Sequence, residues 1–202
     1  MRVIRLIATA PLLALACGAL ASAAPLKTIP CQTEFAPLVS VELAWSPKEA
    51  LRQKRLMDAA LAQLKPSAPS KRDVFILSAA LGGEHVFDKE ASGAADILAK
   101  HYGGSPRVVV LSNGAAALGE DRPAATPEHF STTLARIGEV MNPDDVLFLF
   151  ITSHGQHNKG AAIYEEKRLQ AFLSPSRLEA ELDDAGIKNR VLIISACFAG
   201  LY

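Results

Sequence analysis

A histidine and a cysteine stand at the ends of two apolar runs, and these residue types could together carry out nucleophilic chemistry. The first run, Asp145 to Ile151, passes through Thr-Ser into His154 and Gly155, and the second, Arg190 to Ala196, ends on Cys197. Short apolar runs of this kind are typical of strands buried on both faces of a sheet. If the two strands are parallel neighbours, His154 and Cys197 reach the same rim, where open α/β sheets bind their ligands.

The chemistry expected of such a pair is acyl transfer. A thiol becomes an effective nucleophile when it is deprotonated, which a nearby imidazolium promotes. Cys197 would attack an amide carbonyl, His154 would protonate the leaving amine, and water would resolve the thioester. The backbone N–H groups of Gly155 and Cys197 are the predicted oxyanion donors, because a side chain at position 155 would obstruct the substrate carbonyl. The ordinary interpretation stays open, since a lone cysteine on an apolar strand is usually a small buried hydrophobe.

The rest of the chain predicts the fold that would hold these two residues. Further strands are predicted at 73–78 and 107–111, whereas Gln156 to Phe172 reads as a long polar connection. Three predicted helices begin with Ser or Thr followed by Pro, a typical helix start. The alternation of strands and helices predicts an α/β fold with a parallel sheet covered by helices on both faces. The predicted helices span residues 47–64, 86–102, 127–141 and about 175–186.

Composition narrows the possible functions. The 202 residues suffice for one domain with a real core. Lys and Arg together number 21, as do Asp and Glu, and this balance argues against nucleic-acid binding. His154 and His157 could be read as two metal ligands, but no cluster of carboxylates or cysteines accompanies them at ligand spacing. These residues alone therefore do not favour a metal site.

The N-terminus has the pattern of a cleaved export signal. A basic start, Met1 to Arg5, precedes an apolar stretch from Leu6 to Leu20, and Ala21-Ser22-Ala23 then supplies an A-x-A cleavage site. This predicts an exported protein, periplasmic or secreted, with no integral membrane span after cleavage. The alternative is a lipoprotein anchored through Cys17, because Leu15-Ala16-Cys17-Gly18 faintly resembles a lipoprotein cleavage box.

Cleavage after Ala23 would leave two cysteines, Cys31 and Cys197. They could pair in an oxidising compartment. A core of this size does not require a disulfide, so the sequence favours Cys197 as a residue kept for its reactivity.

The two strand-end blocks also resemble the signature motifs of a known family. Leu-Phe-Leu-Phe-Ile-Thr-Ser-His154-Gly155 and Val-Leu-Ile-Ile-Ser-Ala-Cys197-Phe-Ala-Gly200 are similar to those of the legumain family, family thirteen of the cysteine peptidases. Together the two blocks are specific, whereas either alone would be weak. The similarity covers most of residues 73–200 and is greatest to the bacterial exported branch. Its upstream part comprises residues 75–80, 86–90 and 108–113.

The resemblance implies a caspase-like three-layer sandwich and a Cys–His dyad endopeptidase that acts on a peptide or protein substrate and uses no metal or organic cofactor. By motif position, His154 is the catalytic histidine, Cys197 the nucleophile and Gly155 N–H part of the oxyanion hole. Ser153 and Ser195 would border the substrate pocket. Legumains carry an acidic residue at the position of Ser195, and their asparagine after the first strand has no clear counterpart in residues 79–83. Asparagine specificity is therefore not implied.

The predicted organisation has three parts: a signal peptide at 1–23, an N-terminal arm, helix and linker at 24–72, and a caspase-like peptidase domain at 73–202. Family members continue past the cysteine with two strands and a helix, so this domain is expected to lack its C-terminal strands. Two alternatives to peptide hydrolysis stay open. One is acyl transfer to an amine, as in a transamidase, and the other is an inactive truncated fragment or binding module of the same fold.

Overall fold

The computed structural model describes residues 41–42, 45–68, 71–103, 107–114, 121–165 and 168–202. The predicted signal peptide, the alternative lipid anchor at Cys17 and the second cysteine, Cys31, lie outside these residues. Within the described ranges, the helices are too short or too polar to cross a membrane.

The described residues form four α-helices, and three of these begin where the sequence predicts. The hydroxyls of Ser46, Thr126 and Ser174 each accept the backbone N–H three residues on, and proline follows each cap. The start of the remaining helix, the second in the chain, differs from the prediction by one residue: it begins at His85 rather than Val86. The helices are α1 (Pro47–Ala62), α2 (His85–Tyr102), α3 (Pro127–Val140) and α4 (Pro175–Asp184).

The main sheet confirms the predicted parallel arrangement. Its four strands are all parallel, and the two apolar runs that carry His154 and Cys197 lie side by side. Leu77 and Leu149, on the two central strands, are fully buried. In sheet order the strands are β3 (Val108–Ser112), β2 (Val74–Ala80), β4 (Val146–Thr152) and β8 (Arg190–Ser195).

Helices cover both faces of this sheet. On one face, the main core cluster joins Met57 of α1, Leu134 of α3 and Leu182 of α4 to the sheet. On the other face, Ala95 and Leu98 of α2 pack with Ile76 in a smaller cluster. The fold is therefore α/β with three layers, compatible with a caspase-like sandwich.

A second, antiparallel sheet replaces the polar connection predicted for Gln156 to Phe172, and that prediction was wrong. Strands in this segment bury alternate residues, among them Ala161 and Ile163, although five of its 17 residues are charged. The order of the sheet is β1-β7-β6-β5. Its strands are β1 (Val41–Glu42), β5 (Gly155–Gln156), β6 (Gly160–Glu165) and β7 (Leu169–Leu173).

The outer strand β8 is apolar yet exposed. Val191, Leu192 and Ile193 are 40%, 37% and 36% exposed. In contrast, Leu147, Leu149 and Ile151 on the neighbouring β4 are fully buried. The expectation that the strand leading to Cys197 is buried on both faces is therefore wrong, because β8 lies at the edge of the sheet among the described residues.

Candidate active site

His154 and Cys197 follow adjacent strands at equivalent positions. Thr152 at the end of β4 pairs with Ser195 at the end of β8, and both candidates lie two residues further on. The N–H of Ser153 donates to the carbonyl of Ser195, which extends the pairing beyond the strands. Because neighbouring strands lie about 4.8 Å apart, the two chain segments emerge together at the carboxyl rim of the sheet.

Gly155 is the point at which the two segments touch. A Cβ built on Gly155 would overlap the backbone carbonyl of Cys197 and lie 3.0 Å from its nitrogen. From the sequence, glycine was expected at position 155 so that a substrate carbonyl could approach. The structure shows a more direct reason for glycine at this position. Only glycine allows the backbone after His154 to pack against the backbone of Cys197.

The register of the small sheet also directs the amide of Gly155. Gly155 pairs with Ala161, and the bond between His154 O and Ala162 N identifies this as a non-hydrogen-bonded pair. The N–H of Gly155 therefore points away from β6 and is not used in that ladder. The amide therefore faces the side of the strand on which Cys197 lies, as the N–H of Ser153 faces Ser195.

Cys197 occupies a turn with an exposed, unpaired thiol. The next residue, Phe198, has φ +61° and ψ +23°, a left-handed conformation that bulky residues rarely adopt. Such backbone strain clusters at functional sites because the surrounding structure must hold it in place. The ring of Phe198 contacts His157 edge-on at 5.3 Å between centroids, so His157 packs against the cysteine turn.

Tyr202 ties this turn to the small sheet. Its hydroxyl accepts the N–H of Ala161 at 2.9 Å and donates to the carbonyl of Leu173. Burial raises the pKa of Tyr202, which keeps the hydroxyl neutral and able to donate. A 3-10 helix, Ala199–Leu201, connects Cys197 to this anchor. The position of the cysteine turn thus depends on contacts with β6 and β7.

Three side chains surround the His154 imidazole, although 67% of its side chain is exposed. Phe87 of α2 meets the ring edge-on with centroids 5.3 Å apart, and Tyr164 of β6 stacks nearly parallel to it at 6.2 Å. The carboxylate of Glu84 lies 3.5 Å from Nε2. Glu84 and Tyr164 were not among the residues predicted for the site.

The loop between β2 and α2 places Glu84 at the rim. The carbonyl of Leu81 accepts both the N–H of Tyr164 and the side-chain amide of Asn113, at 2.9 Å in each case. Gly82 passes so close to the Phe87 ring that a Cβ would overlap it. A glycine pair such as Gly82-Gly83 permits a close backbone approach, but nothing in the sequence indicates that the residue after it faces His154.

Glu84 is ionised at neutral pH. Partial burial alone would raise the pKa of its carboxyl, but the hydrogen bond from the Tyr164 hydroxyl and the nearby His154 outweigh that effect and hold the pKa below its ordinary value. In return, burial and the Glu84 carboxylate raise the pKa of Tyr164 far above its ordinary value. The pair is therefore a neutral phenol donating to a carboxylate.

Ser153 and Ser195 occupy different environments. Ser153 is buried, and its hydroxyl donates to the carbonyl of Ala162, so the side chain supports the junction with β6. Ser195 is exposed at the end of β8. Neither residue lines the large cleft that opens beside His154.

This cleft has a volume of about 960 Å³ and is mainly apolar. Phe130 of α3 and Phe172 of β7 contribute to its walls, as do His154 and Glu84 at the rim. Arg177 and Glu181 of α4, which form an ion pair, also line it. The cleft is large enough for several side chains of a peptide.

Among the described residues, no group of three or more His, Cys, Asp or Glu side chains could hold a metal ion. What the arrangement offers is a thiol, an imidazole and backbone amides at one rim, beside a cleft. These are the groups that nucleophilic acyl transfer requires.

The fold and the site together define an α/β protein with a mainly parallel sheet and a histidine and a cysteine at its carboxyl rim. No protein-family model matches the chain, and no curated protein matches its sequence.

Proposed function

We propose that this protein is a cysteine endopeptidase of the legumain type with His154 and Cys197 as its catalytic dyad. The observation that supports it best is the direct packing of Cys197 against Gly155, the residue after His154. That contact requires the two strand ends to lie together, as the resemblance of their motifs implies. The free thiol, the strained Phe198 and the cleft that His154 lines agree with the proposal, although Cys197 does not line that cleft.

In the proposed reaction, the Cys197 thiolate adds to the carbonyl carbon of the scissile bond. The N–H groups of Gly155 and Cys197 donate to the resulting oxyanion. The C–N bond then breaks, and the His154 imidazolium gives its proton to the leaving amine. Water activated by His154 hydrolyses the thioester, which releases the acid product and regenerates the thiol.

The test uses a peptide carrying an irreversible thiol-reactive group, with the modified residue located by peptide mapping. We expect labelling at Cys197 that is lost in Cys197→Ala and falls at least about 100-fold in His154→Ala, the contribution typical of general acid–base catalysis. His101→Ala serves as the control because His101 is exposed at the end of α2. Labelling of a folded His154→Ala variant at the wild-type rate would contradict the proposal and favour a non-catalytic binding module.

The products separate hydrolysis from transfer to an amine. With a cleavable peptide and an added amine, hydrolysis gives a free carboxylate and transfer gives a new amide, which mass spectrometry distinguishes. We expect the carboxylate. A dominant amide product would identify a transamidase instead.

We also propose that the protein is exported, because residues 1–23 combine a basic start, an apolar stretch and an A-x-A site. N-terminal sequencing of protein expressed in a bacterium should give Ala24 as the first residue. A lipid-modified N-terminus at Cys17 would identify the lipoprotein alternative instead.

A further inference from the structure

Glu84 joins two side chains of the site that come from different parts of the fold. One carboxylate oxygen accepts the hydroxyl of Tyr164, a residue 80 positions away in the sequence. The other lies 3.5 Å from Nε2 of His154. This separation is long for a hydrogen bond, but catalytic hydrogen bonds commonly shorten when substrate is bound. The carboxylate is thus fixed on one side and directed at the imidazole on the other.

The two rings beside His154 restrict how the imidazole can turn. Phe87 lies perpendicular to it, with an interplanar angle of 89°, and Tyr164 lies nearly parallel, with an angle of 12°. Rotation of the imidazole would bring its edge toward one of these rings. The same tyrosine therefore stacks on the imidazole and holds the carboxylate that faces Nε2.

We propose that Glu84, held in place by Tyr164, is the positioning residue for His154. It accepts the N–H of Nε2, which leaves Nδ1 to exchange the proton with Cys197. In catalytic triads made of a nucleophile, a base and a third group, the third group orients the base. It fixes the tautomer and stabilises the imidazolium that forms during the reaction. The inference rests on the proposed function, because positioning has catalytic meaning only if His154 is the acid–base residue.

The charges near His154 are consistent with this role. Glu84 is an ionised carboxylate at neutral pH, since the Tyr164 hydrogen bond and His154 hold its pKa down against the effect of burial. On the elements packed around the imidazole, Asp88 of α2 pairs with Arg122, and Glu90 of α2 accepts the hydroxyl of Thr152. Lys159 lines the same cleft as His154 and Tyr164. Glu84 is the carboxylate that lies beside Nε2 of His154.

The first test compares labelling kinetics of Glu84→Gln with those of the wild-type protein. Glutamine has nearly the same size, but it removes the charge and offers a donor as well as an acceptor to Nε2. We expect the maximal labelling rate to fall about 10- to 100-fold, with half-saturation by the probe unchanged. Glu179→Gln, the same change on an exposed residue of α4, should leave both values unchanged.

Tyr164→Phe provides a second variant that keeps the carboxylate but removes its donor. We expect a loss in maximal labelling rate of about fivefold, which corresponds to about 1 kcal/mol for one hydrogen bond. If folded Glu84→Gln and Tyr164→Phe both react at the wild-type rate, Glu84 has no positioning role.

The second test does not depend on activity. Nitrogen NMR of ¹⁵N-labelled protein reports which ring nitrogen of His154 carries the proton in the neutral imidazole. We expect the Nε2–H tautomer in the wild-type protein and a mixture in Glu84→Gln, since glutamine can also donate to Nε2. An unchanged tautomer would overturn the positioning role even if Cys197 reacts. Absence of Cys197 labelling in the wild-type protein would instead overturn the proposed function, whatever the tautomer.

Discussion

The two ends of the parallel sheet use their polar groups in opposite ways. At the amino end, Asp145 is 1% exposed and accepts hydrogen bonds from Ser67 and from the backbone N–H groups of Asp73 and Asn142. At the carboxyl end, His154 has 67% of its side chain exposed and Cys197 has an exposed thiol. The first arrangement satisfies its polar atoms with the protein, whereas the second leaves reactive atoms accessible to a ligand.

Backbone conformation and ion pairing show the same difference. The amino end adds an ion pair between Arg107 and Asp73 at 2.9 Å, with 13% and 9% of the two side chains exposed. At the carboxyl end, Phe198 has a positive φ directly after the cysteine. We therefore expect changes at the amino end to alter stability, and changes at the carboxyl end to alter reactivity before stability.

Among the substitutions that compare the two ends of the sheet, Gly155→Ala should have the largest effect on reactivity. The added methyl group would overlap the carbonyl of Cys197, so the two strand ends must separate. A displacement of about 1 Å in a catalytic group can cost about 100-fold in rate, and we expect a loss of that size in labelling of Cys197. Thermal unfolding should show that the variant remains folded.

Gly93→Ala is the matched control, because a Cβ at Gly93 in α2 meets nothing within 4 Å. It should leave labelling unchanged and stabilise the helix by about 0.5–1 kcal/mol. Equal labelling by Gly155→Ala and Gly93→Ala would show that the contact between Gly155 and Cys197 does not control the site.

Unlike Gly155→Ala, Asp145→Asn should lower stability and leave the reactivity of Cys197 unchanged. Asparagine cannot accept all the hydrogen bonds that the buried carboxylate accepts, so we expect unfolding free energy at neutral pH to fall by about 2–3 kcal/mol. Labelling of the folded fraction at Cys197 should stay at the wild-type rate. Urea unfolding measures the unfolding free energy. The control is Asp144→Asn, on the exposed neighbouring residue, which should change neither the unfolding free energy nor the labelling rate.

The stability contributed by Asp145 should also depend on pH. Burial alone would raise the pKa of its carboxyl, but the hydrogen bonds from Ser67, Asp73 and Asn142 outweigh burial and hold the pKa below its ordinary value. A depressed folded-state pKa means that the contribution is complete above the unfolded pKa and is lost as pH falls through the folded one. The difference between wild type and Asp145→Asn should therefore be constant above about pH 5 and shrink in more acidic solution. A difference that grows in acid would contradict this assignment.

The sequence was informative where local pattern decides the structure. The apolar runs before His154 and Cys197 predicted two neighbouring strands, although the second strand is exposed rather than buried. The caps Ser46, Thr126 and Ser174 located three helix starts. It failed for Gln156 to Phe172, because the charges there obscured the alternate burial of a small sheet.

Residues that join the site only through tertiary contacts could not be found from local pattern. Glu84 and Tyr164 lie 80 residues apart, and their meeting depends on how the loop after β2 docks on β6. The glycine pair before Glu84 permits a close backbone approach, but the sequence does not show which residue the backbone approaches. Likewise, the contact of Gly155 with Cys197 follows from the pairing of β4 with β8 rather than from either motif alone.

The smallest effect should come from Tyr202→Phe, which tests what holds the carboxyl end together. The variant removes the acceptor for Ala161 N–H and the donor to Leu173 O, whereas the aromatic ring remains. We expect hydrogen exchange at the Ala161 amide to accelerate about tenfold, which corresponds to about 1.4 kcal/mol and matches one hydrogen bond. Tyr102→Phe is the control, because Tyr102 stacks on Phe148 through its ring. If Ala161 exchanges equally fast in both variants, Tyr202 does not anchor the cysteine turn. In that case the strain at Phe198 must be held by the packing of Gly155 against Cys197.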